Sequence, residues 1–357
     1  MLATIGLLAL SACFHDDSER PATGETDEST ETFDDLRGTN AAEILDVTGT
    51  AALSPPRFGD GGVVQSAGVG VATASGVSTS FDGTDLTVTI SRDDGNEITL
   101  NTGSDASETS EPVDSPIAGH GAQSWVLFEP TADGMSVAIA TVTANEDDAA
   151  DYLTVGHWMH IAVDVAEFSF IGAEMGAFVD GPELSPASPA NLPAGGTASY
   201  YGPASGAYSV LHGTDTGVTP GSTESGMFDS AVELAADFAA NTISGCVGCR
   251  DGVALFGTLD DAGTGESTEV MFVDSGYRLH LDSTVLDPNG TFLGQRMRLE
   301  HPVISIASTE GAWGGRFSNI ADSAGDPRLV AGTFGAEATS TGGSEGAFLG
   351  SFVGTNE

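Results

Sequence analysis

Residues 85–100 read DLTVTISRDDGNEITL, and their alternation decides what kind of protein this is. Successive side chains of an extended strand point to opposite sides, so Leu86, Val88 and Ile90 share one face and Thr87, Thr89 and Ser91 the other. Asp93-Asp94-Gly95-Asn96 supplies a turn, and Glu97-Ile98-Thr99-Leu100 resumes the same period, which predicts a β-hairpin over 85–100.

The period of two recurs outward from this hairpin. Trp125-Val126-Leu127-Phe128 and the run from Met135 to Ala140 read as a second pair of strands, joined by the turn-rich Pro130 to Gly134. One or two longer strands follow between Tyr152 and Phe178. Pro182, Pro186, Pro189 and Pro193 then fall close together, a density no sheet accommodates, which marks 182–194 as a linker. Beyond it come roughly eight short segments bounded by glycine, the pattern of a β-sandwich or a closed antiparallel barrel. Among them, Ala231 to Phe238 contains good helix formers. Its apolar residues nevertheless fall at 232, 234, 236 and 238, so it reads as a strand.

Composition agrees with an all-β chain and narrows its partners. The 48 glycines and abundant Ser and Thr favour short strands with many connections, and a hydrophobic content of 40% allows a packed core. Acidic residues number 52 against 10 basic ones, all arginine, for a net charge of −42. Such a surface repels phosphate backbones, which excludes nucleic acid as a partner. The charge has two readings: solubility in a salty medium, or an acidic face for a basic ligand or calcium. No Asp-x-Asp-x-Asp-Gly loop occurs, so no metal site is assigned.

The first residues, MLATIGLLALSAC, form an apolar run ending in Leu10-Ser11-Ala12-Cys13, which matches a bacterial lipobox. Residues 1–12 thus read as a lipoprotein signal peptide and Cys13 as the acylated residue. No positive residue precedes the run, a departure that an upstream start codon would explain. Residues 13–35 carry nine acidic side chains and one arginine with almost nothing apolar, the composition of a disordered, self-repelling tether. Together these features predict a monomer anchored to the bacterial outer membrane by its N-terminal lipid and exposed at the surface, with the periplasmic face as the alternative.

The second half also resembles a known family. GTASYYG (196–202), ELAADF (233–238), GAWGGRF (311–317) and GDPRLVAGTFGA (325–336) are similar, in that order, to the β-barrel domain of the transferrin-binding protein B family. Phe317, Pro327 and the stretch Gly332-Thr333-Phe334-Gly335-Ala336 fall where that barrel closes. The resemblance covers about 195–357 and implies a fold and an activity. The expected fold is all-β, with a β-rich handle domain at 36–181 followed by a C-terminal eight-stranded antiparallel β-barrel at 195–357. The expected activity is that of a surface lipoprotein capturing a protein or a small solute.

Catalysis finds little support. No G-x-S-x-G elbow, phosphate loop or defensible Cys–His pair is present, and the carboxylates show no discriminating spacing, so the chain is not expected to be an enzyme and no cofactor is assigned. The densest histidine cluster is Gly156-His157-Trp158-Met159-His160. On a strand His157 and His160 point to opposite faces and read as structural; haem ligation by either one is the alternative, and an envelope-interaction protein without a diffusible ligand is the alternative to capture. Finally, Cys246-Val247-Gly248-Cys249 holds the two remaining cysteines. With Cys13 given to the lipid, this pair in an oxidising compartment is expected to form a disulfide at a hairpin end of the barrel. A metal site there lacks a further His or Cys among the next residues, His280 being the first.

Overall fold

In the computed structural model, residues 192–356 are described apart from 295 and 319–324. Before them, description covers the strands between 36 and 180 together with Asp85, Thr102, Ala122, Gly181 and Ala190. Cys13, the signal peptide 1–12 and the tether 13–35 therefore lie outside the described residues.

Every element among the described residues is a strand. The first half contributes β1 (Leu36–Arg37), β2 (Gly49–Leu53), β3 (Arg57–Phe58), β4 (Val64–Gln65), β5 (Val69–Thr73), β6 (Gly76–Phe81), β7 (Leu86–Ser91), β8 (Glu97–Asn101), β9 (Ser110–Val113), β10 (Gln123–Thr131), β11 (Gly134–Asn145), β12 (Asp148–Asp164) and β13 (Ser169–Asp180). The second half contributes β14 (Thr197–Leu211), β15 (Thr223–Asp237), β16 (Thr242–Val247), β17 (Val253–Asp260), β18 (Ser267–Phe272), β19 (Arg278–Val285), β20 (Thr291–Gly294), β21 (Met297–Glu300), β22 (Ile306–Phe317), β23 (Leu329–Ser340) and β24 (Glu345–Asn356).

The predicted pairs form as read. β7 and β8 pair antiparallel with Ile90 opposite Ile98, and β10 pairs β11 with Trp125 opposite Ala140. Ala231 to Asp237 is extended within β15, so the alternation of apolar residues prevails over local helix propensity.

The handle is two stacked sheets. A four-stranded sheet in the order β1-β6-β7-β8 faces a seven-stranded one in the order β5-β2-β13-β12-β11-β10-β9. Between them Phe81, Leu86, Val88, Ile90, Trp125, Trp158 and Phe178 form one buried cluster, and the Phe81 and Trp125 rings meet at 5.9 Å. The reverse face of the larger sheet is also covered. Leu153, Val155 and Val179 pack on Leu329, Ala331 and Val353 of the second half, and Ala177 packs on Ala207 and Leu349. Around these residues of β12 and β13 the large sheet is therefore covered on both sides, by the smaller sheet and by the barrel wall.

The barrel is an eleven-stranded sheet that occupies eight positions round a ring. Going round, β22, β23, β24, β14 and β15 pair in turn, β15 continues to β16, β16 to β19, and an isolated bridge between Leu286 and Phe292 carries β19 to β20, which returns to β22. An eight-stranded barrel was expected; eleven strands fill the eight positions, for a specific reason. β16 and β17 both run antiparallel to β15, one along Val232–Asp237 and the other along Thr223–Ser230, so they lie end to end as one interrupted strand. β20 and β21 share a position in the same manner, pairing β22 and β19 respectively. β18 pairs only with β17, which leaves a local gap in the wall along its other edge.

Side chains fill the ring. Trp313, Tyr200, Tyr208, Phe228, Phe292, Phe317, Phe334, Phe348 and Phe352 are all fully buried, and their rings touch in series, Phe228 with Phe334 and Phe348 at 5.9 Å and Tyr277 with Phe348 at 5.1 Å. Glycines give these rings room. A Cβ at Gly315 would stand 2.7 Å from Phe292 Cζ, and one at Gly350 would stand 2.7 Å from Phe228 Cζ. The glycine-aromatic texture of the last strands is thus a packing rule: rings lie flat on strand backbone where no side chain intervenes. Ala190, between Pro189 and Pro193, is buried in this core and its N–H donates to Asn289 O at 3.0 Å.

Candidate binding cleft between handle and barrel

Where the handle's large sheet meets the barrel wall, packing is incomplete. A cleft of about 280 Å³ remains, walled on one side by Ser124, Ile139, Thr141 and His157 and on the other by Ser205, Met227 and Asp229. Its size is near the lower end of small-molecule pockets, ~300–1,000 Å³. Its position at a domain interface is one that such pockets favour.

His157 reaches the cleft because strand geometry places it there. On β12, Trp158 enters the handle core while His157, one residue earlier, faces the barrel beside Ile139 and Ala177, its register partners. The side chain is buried, and neither ring nitrogen has a hydrogen-bond partner. Burial pushes its pKa down to about 4, so the ring is neutral at neutral pH. A neutral imidazole presents one N–H donor and one lone-pair acceptor, and here both are uncommitted. Asp229 lines the same cleft from β15, its carboxyl held above the ordinary range by burial. Ser124 and Thr141 share a 2.7 Å hydroxyl hydrogen bond on the handle side. An apolar frame holding a donor, an acceptor and an acid is equipped to orient a small polar molecule.

His160 takes no part in this site. It faces the opposite side of β12, as expected, and its Nδ1 lies 2.8 Å from Ser136 Oγ inside the handle. Ser136 and His160 have the spacing of a nucleophile and base, but both are buried, at 0% and 1%, and neither lines the cleft. Because His157 and His160 point apart, they do not face a common iron.

Inside the barrel a second polar group is sealed from solvent. Glu224 accepts a hydrogen bond from the Tyr208 hydroxyl at 2.9 Å, and its other oxygen lies 3.2 Å from His212 Nε2. Burial first, and then the neighbouring Glu224 carboxylate, push the Tyr208 and Tyr277 hydroxyls well above the ordinary phenol range. A void of about 10 Å³ beside Val210, Ile304 and Phe348 admits nothing larger than a water molecule. The barrel lumen is a packed core.

Cys246 and Cys249 are bonded to each other, with their Cα atoms 5.8 Å apart. The expected hairpin end is corrected: Gly248–Gly252 is an excursion between two strands running in the same direction, β16 and β17, which both pair with β15. Gly248 and Gly252 take left-handed φ values of 80° and 86°, which let the chain leave the wall and rejoin it. The distance along the chain to His280 also proves misleading. His280 stands opposite Cys246 across the β16–β19 ladder, and its Nδ1 is 4.0 Å from Cys249 Sγ.

Sequence reasoning missed Asp229, Ser124 and Thr141. Each is an ordinary strand residue whose relevance depends on what the facing layer leaves uncovered, and no spacing along the chain encodes that.

No family model matches the chain, and no curated protein matches it. Among solved structures, the chain is similar to a mutant of the vaccine antigen transferrin binding protein B from Haemophilus parasuis, with a TM-score of 0.30 and 12% identity. The similarity covers 87% of this chain and 58% of that one, so this chain spans less than two thirds of that protein's length.

Proposed function

We propose that the chain is a lipid-tethered binding protein of the bacterial outer membrane, and that handle and barrel together hold a small polar solute in the cleft between them. The observation that carries this reading is His157: a buried imidazole with both nitrogens unpartnered, on the wall of a cleft of about 280 Å³. Buried polar groups normally have partners, and an unsatisfied one costs ~1–3 kcal/mol unless something fills the site. A bound solute that accepts from one nitrogen and donates to the other recovers that cost. Cys13 supplies the anchor and residues 13–35 the tether.

The test is native mass spectrometry of the chain purified from its own envelope, beside His157→Leu and Ser205→Trp. The wild type is expected to carry a solute that both variants lose, since one removes the polar partner and the other fills the cleft. Equal retention by all three proteins, or an empty wild-type chain that takes up nothing from an envelope extract, overturns the reading. Protease shaving of intact cells tests the surface location, and complete protection counts against it.

A second reading rests on the free edge of β18. Met271, Phe272 and Val273 are 70%, 44% and 81% exposed beside a strand that pairs on one side only. An unpaired edge flanked by apolar side chains suits a protein partner that adds a strand. Loss of protein capture by Met271→Lys with solute retention unchanged would favour this reading over the first.

A further inference from the structure

The outer wall of the barrel carries a row of chemistry that neither the cleft nor the packing uses. Reading across register, Glu233 on β15 faces Cys246 on β16, Cys246 faces His280 on β19, and His280 faces Arg298 on β21. Cys249 folds back over this row from the excursion after β16. One donor atom from each of Cys246, Cys249 and His280 lies within 4.8 Å of the others.

We propose that Cys246, Cys249 and His280 form a zinc site when the disulfide is reduced, with the fourth coordination position left open to water. Three features support it together. The first is ligand type and spacing: two thiolates and an imidazole suit a borderline-soft divalent ion. Zn–S bonds of ~2.3 Å and Zn–N bonds of ~2.0–2.1 Å need donor atoms about this close, after only small side-chain adjustment. The second is the orientation of His280. Its Nε2–H donates to Glu300 Oε2 at 2.7 Å, which fixes the tautomer and leaves the Nδ1 lone pair on the side of the sulfurs. A carboxylate behind the imidazole is the usual arrangement around a metal-bound histidine. The third is access with rigidity. Cys246 and His280 sit on paired strands, while Cys249 is exposed on a segment whose two left-handed glycines let it turn without strain.

The two states exclude each other. In the oxidised chain the sulfurs are bonded together and offer no thiolate. Reduction requires a two-electron donor, here a dithiol. One of its thiolates attacks a sulfur of the pair, the resulting mixed disulfide is resolved by its second thiol, and the reductant leaves as a disulfide, with Cys246 and Cys249 as free thiols. Zinc binding then displaces one proton from each thiol and uses the neutral His280 ring. The excursion is thereby a switch between a covalent staple and a metal centre.

The experiment uses the full chain, split into an oxidised portion and one reduced by a dithiol, with reductant removed anaerobically. Each portion is titrated with Zn²⁺ against a chromogenic chelator, and with Co²⁺ for its spectrum. The reduced chain is expected to take one ion beyond whatever the oxidised chain takes, with thiolate-to-cobalt absorption in the near ultraviolet. Glu300→Gln is expected to weaken binding by roughly 10-fold. Cys249→Ser and His280→Ala, both altered on the outer wall, are expected to weaken binding more than 10-fold with far-ultraviolet dichroism unchanged, and Cys249→Ser, which removes one of the two sulfurs, to lower the intensity of the thiolate band per bound cobalt. Equal uptake by reduced and oxidised chains overturns the proposal, because the acidic surface then accounts for all binding. Unchanged affinity in folded His280→Ala overturns it as well.

Discussion

Asp180 Oδ2 accepts hydrogen bonds from both the backbone N–H and the hydroxyl of Thr79, each at 2.9 Å. Thr79 lies on β6 and Asp180 ends β13, so one carboxylate ties together the two sheets of the handle. Its other oxygen accepts from Gly181 N at 2.8 Å. Removing it leaves buried donors without an acceptor. Asp180→Ala is therefore expected to lower stability by about 2–3 kcal/mol, read as a shift in urea midpoint without a change in slope. Asp180→Asn, which keeps an acceptor oxygen for Thr79, is expected to cost less.

The same carboxyl gives a pH dependence. Burial, its largest influence, pushes the pKa of Asp180 up to about 6, against the lowering effect of its hydrogen bonds and of Arg316. The folded state thus binds more protons than the unfolded state between about pH 4 and 6. Stability contributed by the protonated form is present below that window and is lost as pH rises through it. His157 acts in the opposite sense. Its folded pKa of about 4 lies below the ordinary 6.5, so stability is lost as pH falls from about 6.5 toward 4. The two slopes oppose each other over their shared window. Urea titrations from pH 4 to 7 are expected to show His157→Leu losing the acid sensitivity, and Asp180→Asn losing the opposite trend.

Gly350 is expected to tolerate no side chain. A Cβ there would meet Ser205 O at 2.5 Å, Phe228 Cζ at 2.7 Å and Phe334 Cζ at 2.9 Å, so both backbone and two core rings would have to move. Gly350→Ala should cost about 1–3 kcal/mol, measured as a lower melting temperature. Gly343, at a left-handed φ of 85° with open space around it, provides the contrast: Ala is strained there by backbone conformation alone.

Phe348 joins Tyr208, Phe228 and Tyr277 at the centre of the barrel core. Phe348→Ala should cost about 3–5 kcal/mol, because rings held by two strands and by the connection before β19 cannot collapse into one vacancy. Calorimetry is the check, and a loss under 1 kcal/mol would mean that this core repacks freely.

Tyr208→Phe removes the hydroxyl that Glu224 accepts from while keeping the ring. The buried carboxylate then retains the His212 contact alone, and the expected loss is about 1–2 kcal/mol at neutral pH. Tyr208→Phe combined with Glu224→Leu should recover part of it, since replacing both partners removes the unsatisfied group.

Much of the architecture was legible along the chain. The alternation in 85–100 yields β7 and β8, the prolines at 182–193 separate two sets of sheets, and glycine-bounded segments yield the ring of the barrel. These are local properties: period two, turn chemistry and the missing N–H of proline act within a few residues of where they are written. Even Ala231 to Phe238, whose composition favours a helix, follows its alternation, because an amphipathic strand can bury one whole face in the ring.

What the tertiary structure alone decided is which distant residues meet. Strand alternation put His157 on one face of β12, but only the imperfect fit of handle against barrel left its side chain on the wall of a cleft that Asp229 also lines. The spacing of Cys246 and Cys249 predicted their bond, yet the register of β16 on β19 brought His280 beside them, and pairing with β15 made their turn an excursion rather than a hairpin. The physical reason is the same in each case. A strand's own sequence determines which side chains share a face, whereas its neighbours and their register, chosen by burial over the whole ring, determine what that face touches.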